Sequence, residues 1–448
     1  MEEGNPNPQT IIDMKALVEG LDESMRNLDL KGKGIVPSSE YHISVVKSGI
    51  RNVDSSQYAP HSILVGPYHC DPNQRMEPVK LAALHGALPG DEQERRGTLH
   101  RYLGEIAAAN FLAEVRRYYA DGANKFEDLT LSKLLLVDGF YILHCFGIGR
   151  FGGGSSSSGG GMCAQDNIEH IRDVFYLLEN QIPFFVLVKI HDLFFPPAET
   201  SPIKSTADIV LDDLEKSLRP LLTFLGYTQL EIRGVSPWHL LHLLYMHFKP
   251  TAVPEPDDEM PANDYHAAGM TFEKRRLDSS SKARNILDVE LRRLTVHIPT
   301  ITVENNTFRI LRNLLALEQQ SPALGVDVTA YCLFMSHLAG TAKDVDLLVR
   351  KEVIVHFMGS DEEVAQGFAD LCKGLSVNIS DTGRNYLHKT WEKMEKRYNS
   401  RPINWIKQLQ RKHLSNSALV FALLVAMIPF VCTILQTVYA VKSYKASN

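Results

Sequence analysis

From Ser417 to Val441 the chain reads SALVFALLVAMIPFVCTILQTVYAV, 25 residues without one charge. At about 1.5 Å of rise per residue, a helix of that length crosses a hydrocarbon layer of roughly 30 Å. Helices in soluble cores rarely run so far uncharged. Pro429 sits mid-run, where a bilayer tolerates it once neighbouring groups satisfy the freed carbonyl. The run predicts one C-terminal transmembrane helix at 417–441, a short tail at 442–448, and a tail-anchored, single-pass protein.

The flanking charges predict an orientation. Residues 385–416 carry eight basic side chains, among them Lys389, Lys393 and Arg411, against Glu392 and Glu395, a net of +6. With −6 on the whole chain and +2 in the tail, residues 1–384 carry −14. A basic juxtamembrane segment is drawn to the anionic lipids of the cytoplasmic leaflet by about 1 kcal/mol per Lys or Arg near the surface. The expected arrangement is an acidic body in the cytosol, anchored to the plasma membrane, whose greater thickness suits a span of this length. Residues 1–20 show no basic or apolar leader pattern. The six cysteines form no C-x-x-C pair, which predicts reduced thiols rather than a disulfide framework.

With 44% apolar and 22% charged residues, the rest has ordinary globular composition. Residues 1–35 read as a disordered arm with a short helix at Thr10–Leu21, and 36–384 as one body. Two breaks interrupt that body: a Gly/Ser linker at 152–161, and the loop 249–264 with four prolines and five acidic residues. Elsewhere the apolar period is helical. It predicts helices over Ile168–Val188 with a kink or a boundary at Pro183, over Phe308–Glu318, Asp327–Gly340, Lys343–Met358 and Asp361–Leu371. Ser360 and Glu363 form a capping-box pattern before the last of these. Strand patterns are confined to Ser62–Val65, Leu294–Ile298 and Thr300–Val303. The expected fold is a mainly α, multi-helix globular body with a minor β element and one C-terminal transmembrane helix.

Chemical signatures are scarce. Gly147, Gly149 and Gly152 match a dinucleotide fingerprint, and Asp173 falls about 20 residues on. The match fails because a Gly/Ser tract follows where a helix N-terminus must hold the pyrophosphate. His239, His242 and His247 lie on an apolar helix where the first two share a face, and no H-E-x-x-H pattern or nearby carboxylate supplies the third ligand a metal needs. Glu179 and Glu318 could act as general bases, but a buried polar network is the plainer reading. No residue is assigned a catalytic, cofactor-binding or metal-binding role, no cofactor is expected, and beside an apolar span the basic segment points to lipid rather than nucleic acid.

Blocks of residues do carry a resemblance. They are Tyr58-Ala-Pro60, Ser62 to His69, Met76-Glu77 and Lys80, Leu136 to Phe140, and Asp173 to Leu187. Ala268 to Phe272, Ile298-Pro299, Arg312 to Gln319, Asp344 to Leu348 and Gln436 to Tyr439 follow. Together they resemble the plant family called domain of unknown function 247; the stretch Ile35–Arg51 fits it loosely. The resemblance implies a helical plant protein with a C-terminal anchor and no established enzymatic activity. Some members of that family are similar to the pollen-side determinants of grass self-incompatibility. The expected function is thus a membrane-anchored recognition or signalling protein with an unknown protein partner. The competing reading is a membrane-bound enzyme using Asp138, Glu179 or a histidine.

Overall fold

Two helices that are apolar on nearly every side organise the body. A computed structural model describes residues 42–71, 77–120, 122–148, 164–196, 205–224, 236–251, 270–277, 283–292, 295–375, 385–399, 433 and 436–437. Helix takes 61% and strand 8%, so the mainly α reading holds. The helices are α1 (Pro78–Ala87), α2 (Glu92–Ile106), α3 (Ala109–Tyr118), α4 (Asp128–Cys145), α5 (Ala164–Tyr176), α6 (Phe184–Phe194) and α7 (Thr206–Phe224). They continue as α8 (Leu240–Met246), α9 (Asn305–Gln320), α10 (Asp327–Leu338), α11 (Ala342–Arg350), α12 (Asp361–Leu371) and α13 (His388–Asn399).

Helix α4 buries every residue from Leu134 to Leu143, and α9 every residue from Thr307 to Glu318. A helix buried all round must be covered by others. Helices α1, α2 and α6 cover α4, while α10, α12 and α5 cover α9. Helix α5 touches both, and the chain turns at 177–183 before α6 begins on Pro183. That turn joins the two halves of the core.

The β element is small. Strand β1 (Thr271–Arg275) lies parallel to β3 (Thr295–Pro299), and β2 (Glu290–Arg292) antiparallel to it. Strand β4 (Ile301–Val303) pairs in parallel with β5 (Ile354–His356). Both strand patterns expected between 294 and 303 are present. Ser62–Val65 is not a strand: its amides go to side chains rather than to a ladder. The helix expected over Lys343–Met358 stops at Arg350, because Glu352 takes a positive φ of 55° and the chain then enters β5.

One expectation is corrected outright. Among the described residues no helix is long and apolar enough to cross a membrane, so the transmembrane part of the expected fold class is not supported. Helix α4, at 18 residues, carries Asp128, Lys133 and Asp138, and the 19-residue α7 is amphipathic. The run 417–441 lies outside the described residues except for Thr433, Gln436 and Thr437, which are helical and exposed. Thr10–Leu21, the Gly/Ser tract and most of loop 249–264 also lie outside them.

Candidate functional site

The polar residues of the motifs converge on one task. Residues 42–69 form a strap with little regular structure beyond two single turns at Ser48–Arg51 and Ser55–Tyr58. Such a segment carries backbone donors and acceptors that must be satisfied once buried. Side chains from α1, α4, α5, α9 and the 177–183 turn satisfy them.

Asp173, near the end of α5 and 1% exposed, accepts three consecutive strap amides at Oδ2: His61 (2.9 Å), Ser62 (2.6 Å) and Ile63 (3.1 Å). Its Oδ1 takes the Arg309 guanidinium at 3.0 Å, and Arg309 also donates to the Ala59 carbonyl at 2.5 Å. In the turn, Asn180 accepts from the Val65 amide (2.7 Å) and donates to the Ile63 and Asp173 carbonyls. Glu179 accepts from the Val46 amide (2.5 Å) and from Arg51, with His69 Nε2 at 3.5 Å from its other oxygen.

Gln181 faces the opposite way. Its Oε1 accepts the first two amides of α8, Leu240 and Leu241, and its Nε2 donates back to the Val174 and Leu177 carbonyls. Three consecutive side chains therefore bind three separate stretches of backbone. Asn313 on α9 closes the ring: it accepts the Leu178 amide and donates to the Gln57 carbonyl.

A buried ion pair secures the strap's far end. Lys80 Nζ lies 2.7 Å from Asp138 Oδ1, with side chains 3% and 0% exposed, and also bonds Glu77 and the Leu64 carbonyl. Asp138 Oδ2 accepts the Gly66 amide at 2.9 Å. Gly66 has φ +71°, and a Cβ there would lie 2.3 Å from the Gln181 carbonyl oxygen, so only glycine lets the strap approach the turn this closely.

Glu318 does the same work between helices. Its oxygens accept from Tyr245 Oη, the Val328 and Thr329 amides, and Thr329 Oγ1 (2.6 Å). The carboxylate thereby caps α10, whose own N-cap, Val326, offers no side-chain acceptor. Burial pushes its carboxyl up to about 7 despite those four donors.

This arrangement determines what the candidate acids and bases can do. A general base needs a free lone pair within reach of a reactant's proton. Asp138, Asp173, Glu179 and Glu318 are at most 3% exposed, and their oxygens are occupied by backbone and side-chain donors. Gly147, with φ +60°, sits just beyond α4, where the Ile148 amide bonds the Leu143 carbonyl: a helix C-cap, not a phosphate cradle. Among the described residues no group of three or more His, Cys, Asp or Glu could hold a metal ion. His239 is the N-cap of α8, and His242 stacks on Trp238 rather than opening toward a shared ligand.

Two features gave no sequence signal. Asp288 accepts from Thr251 (amide and hydroxyl), Arg284 and Asn285, which pins the stem of the acidic loop. The His42–Trp238–His242 stack joins residues nearly 200 apart. Neither lies within a local motif.

Fold and site together define a helical body whose motif polar groups act as clamps on backbone. The chain belongs to the plant family of proteins of unknown function called domain of unknown function 247, whose model matches residues 43–432. It is similar to the UPF0481 protein At3g47200 of Arabidopsis thaliana, 25% identical over 427 residues, 86% of this chain and 83% of that one. A second Arabidopsis thaliana UPF0481 protein, At3g02645, is 28% identical over 140 residues, 31% of this chain and 26% of that one. No solved structure matches.

Proposed function

We propose that this protein is a non-enzymatic recognition protein and that loop 249–264 is its variable contact surface. The observation that carries this reading is the loop's rigid stem. Thr251 is held by Asp288 at 2.6 Å and 2.8 Å, and Lys249 by Tyr245, the Leu324 carbonyl and Asp327. Beyond the loop the chain enters β1, where Thr271 bonds Thr295 at 2.7 Å. Binding surfaces are typically loops set on rigid scaffolds, because loops vary in length and sequence without disturbing the core. The motif carboxylates, by contrast, are engaged in holding the strap or, at Glu318, in capping α10.

The test is proximity labelling in plant cells, comparing the native chain with one whose residues 252–264 are a Gly/Ser segment of equal length. The expected result is loss of specific neighbours with unchanged thermal stability. An identical neighbour set would overturn the assignment.

The basic run 385–416 is the surface we assign to anionic headgroups. Lys389 and Lys393 lie exposed on α13, one turn apart, while Leu387, Trp391 and Met394 are buried on the opposite side. The full chain should sediment with phosphatidylserine vesicles more than with neutral ones, and K389E/K393E should reduce that difference. Equal sedimentation of variant and native chain would remove this surface from the account.

A further inference from the structure

The amino-terminal end of the strap is fastened by an aromatic stack the clamps do not use. His42 lies on one face of the Trp238 indole (centroids 4.0 Å apart, 27° between planes) and His242 on the other (4.1 Å, 22°). Tyr118 meets the His42 ring edge-on at 4.8 Å.

A third imidazole ties the stack to the backbone. His239 Nε2 donates to the His42 carbonyl at 3.0 Å, and its Nδ1 accepts the His242 amide at 3.2 Å. His242 Nδ1 accepts the Trp238 amide at 3.0 Å. Both Nδ1 atoms must be unprotonated for these bonds to exist, because an imidazolium presents N–H at both nitrogens. A second proton on either ring sets donor against donor, breaking the cap of α8 or the turn before it.

We propose that this stack is an acid-operated latch: on acidification, proton uptake by His239 and His242 releases His42, at the strap's amino-terminal end, from Trp238 and α8 while the helical core stays folded.

The surroundings favour release rather than a compensated charge. The charged groups acting on His239 are His242 and His42, and those acting on His242 are His42 and Lys249, all cations when charged; only the bond to the His42 carbonyl favours a proton on His239. Of the carboxylates on the neighbouring elements, Glu114 acts on Tyr118, Glu179 is engaged by Val46 and Arg51, Asp327 by Lys249, and Glu318 by Tyr245, Val328 and Thr329. Burial holds His239 well below the usual imidazole range and pushes His242 down to about 3. Once released, the rings regain values near 6.5, so the open state binds protons more tightly and the latch weakens as pH falls below about 6.5.

The residues after His42 have anchors of their own. The His42 and Ile43 amides bond the Tyr118 carbonyl, the Ile43 carbonyl accepts from Ala120 and Tyr68, the Val46 amide meets Glu179, Ser44 and the Val45 carbonyl meet Gln320, and Lys47 reaches the Gln319 carbonyl from an exposed position. Clamps farther along, at Asp173 and Asn180, hold the strap through its backbone amides, that of His61 included, and through no imidazole.

The test uses the full chain with W391F and W405F, leaving Trp238 as the sole indole, titrated from about pH 7 downward alongside far-ultraviolet circular dichroism. The expected result is a red-shift of Trp238 emission at a pH above the loss of helix. H239N keeps an N-cap acceptor without a titrating ring, and H42F keeps the stack with one fewer charge. Each should move the emission midpoint down by about half a pH unit or more. Normal circular dichroism at neutral pH would show that both variants fold. Emission and helix lost together, or H239N and H42F both titrating like the parent, would overturn the proposal.

Discussion

Asp173→Ala is expected to be the most damaging single substitution among the side chains that hold the strap. It strips three amides of their acceptor and leaves Arg309, 4% exposed, without its counter-charge. Orphaning a buried partner of an ion pair costs about 3–5 kcal/mol, and each unsatisfied amide adds roughly 1 kcal/mol or more. Whole domains hold only about 5–15 kcal/mol, so the variant should be largely insoluble or unfold at much lower denaturant. Asp173→Asn, which still offers one acceptor oxygen to the amides, should be visibly milder. Urea midpoints of the two variants check this; an alanine variant as stable as the parent would remove Asp173 from the clamp.

The second large effect is at Lys80 and Asp138. Lys80→Met should cost about 3–5 kcal/mol, because it leaves a fully buried carboxylate alone. In K80M/D138N the amide oxygen still accepts from Gly66 and the buried charge is gone. Part of the loss should therefore return, with a coupling energy of about 2 kcal/mol between the sites. Additive losses in a denaturation cycle would mean that the pair does not act as a unit.

How much of this could be read from the chain depends on distance along it. Helices α9, α10 and α12 follow from apolar residues three and four apart, and the start of α6 from Pro183, whereas α5 stops at Tyr176, short of the boundary that the proline suggests. The 61–66 stretch misleads because buried Ile63 and Val65 alternate with Leu64 as they would on a strand. The Ser62, Ile63 and Val65 amides instead meet Asp173 and Asn180, over 100 residues away, and no local pattern encodes that pairing. The end of α11 turns on the single positive φ at Glu352, a residue type that gives no warning of it. Glu179 and Glu318 look alike as candidate bases. Only their partners reveal that one holds Val46 and Arg51 while the other caps a helix.

The Glu179-Asn180-Gln181 turn is a fastening for backbone: its side chains are taken up by the Val46, Val65, Leu240 and Leu241 amides. Amide hydrogen exchange on Asn180→Ala tests it most directly. Removing that side chain should strip protection from peptides covering Ile63 and Val65 while α9 and α10 stay protected, since only the strap loses its partner. Unchanged protection at 63–65, in a variant that has nonetheless lost its cellular neighbours, would contradict the account and return the turn to the list of functional sites.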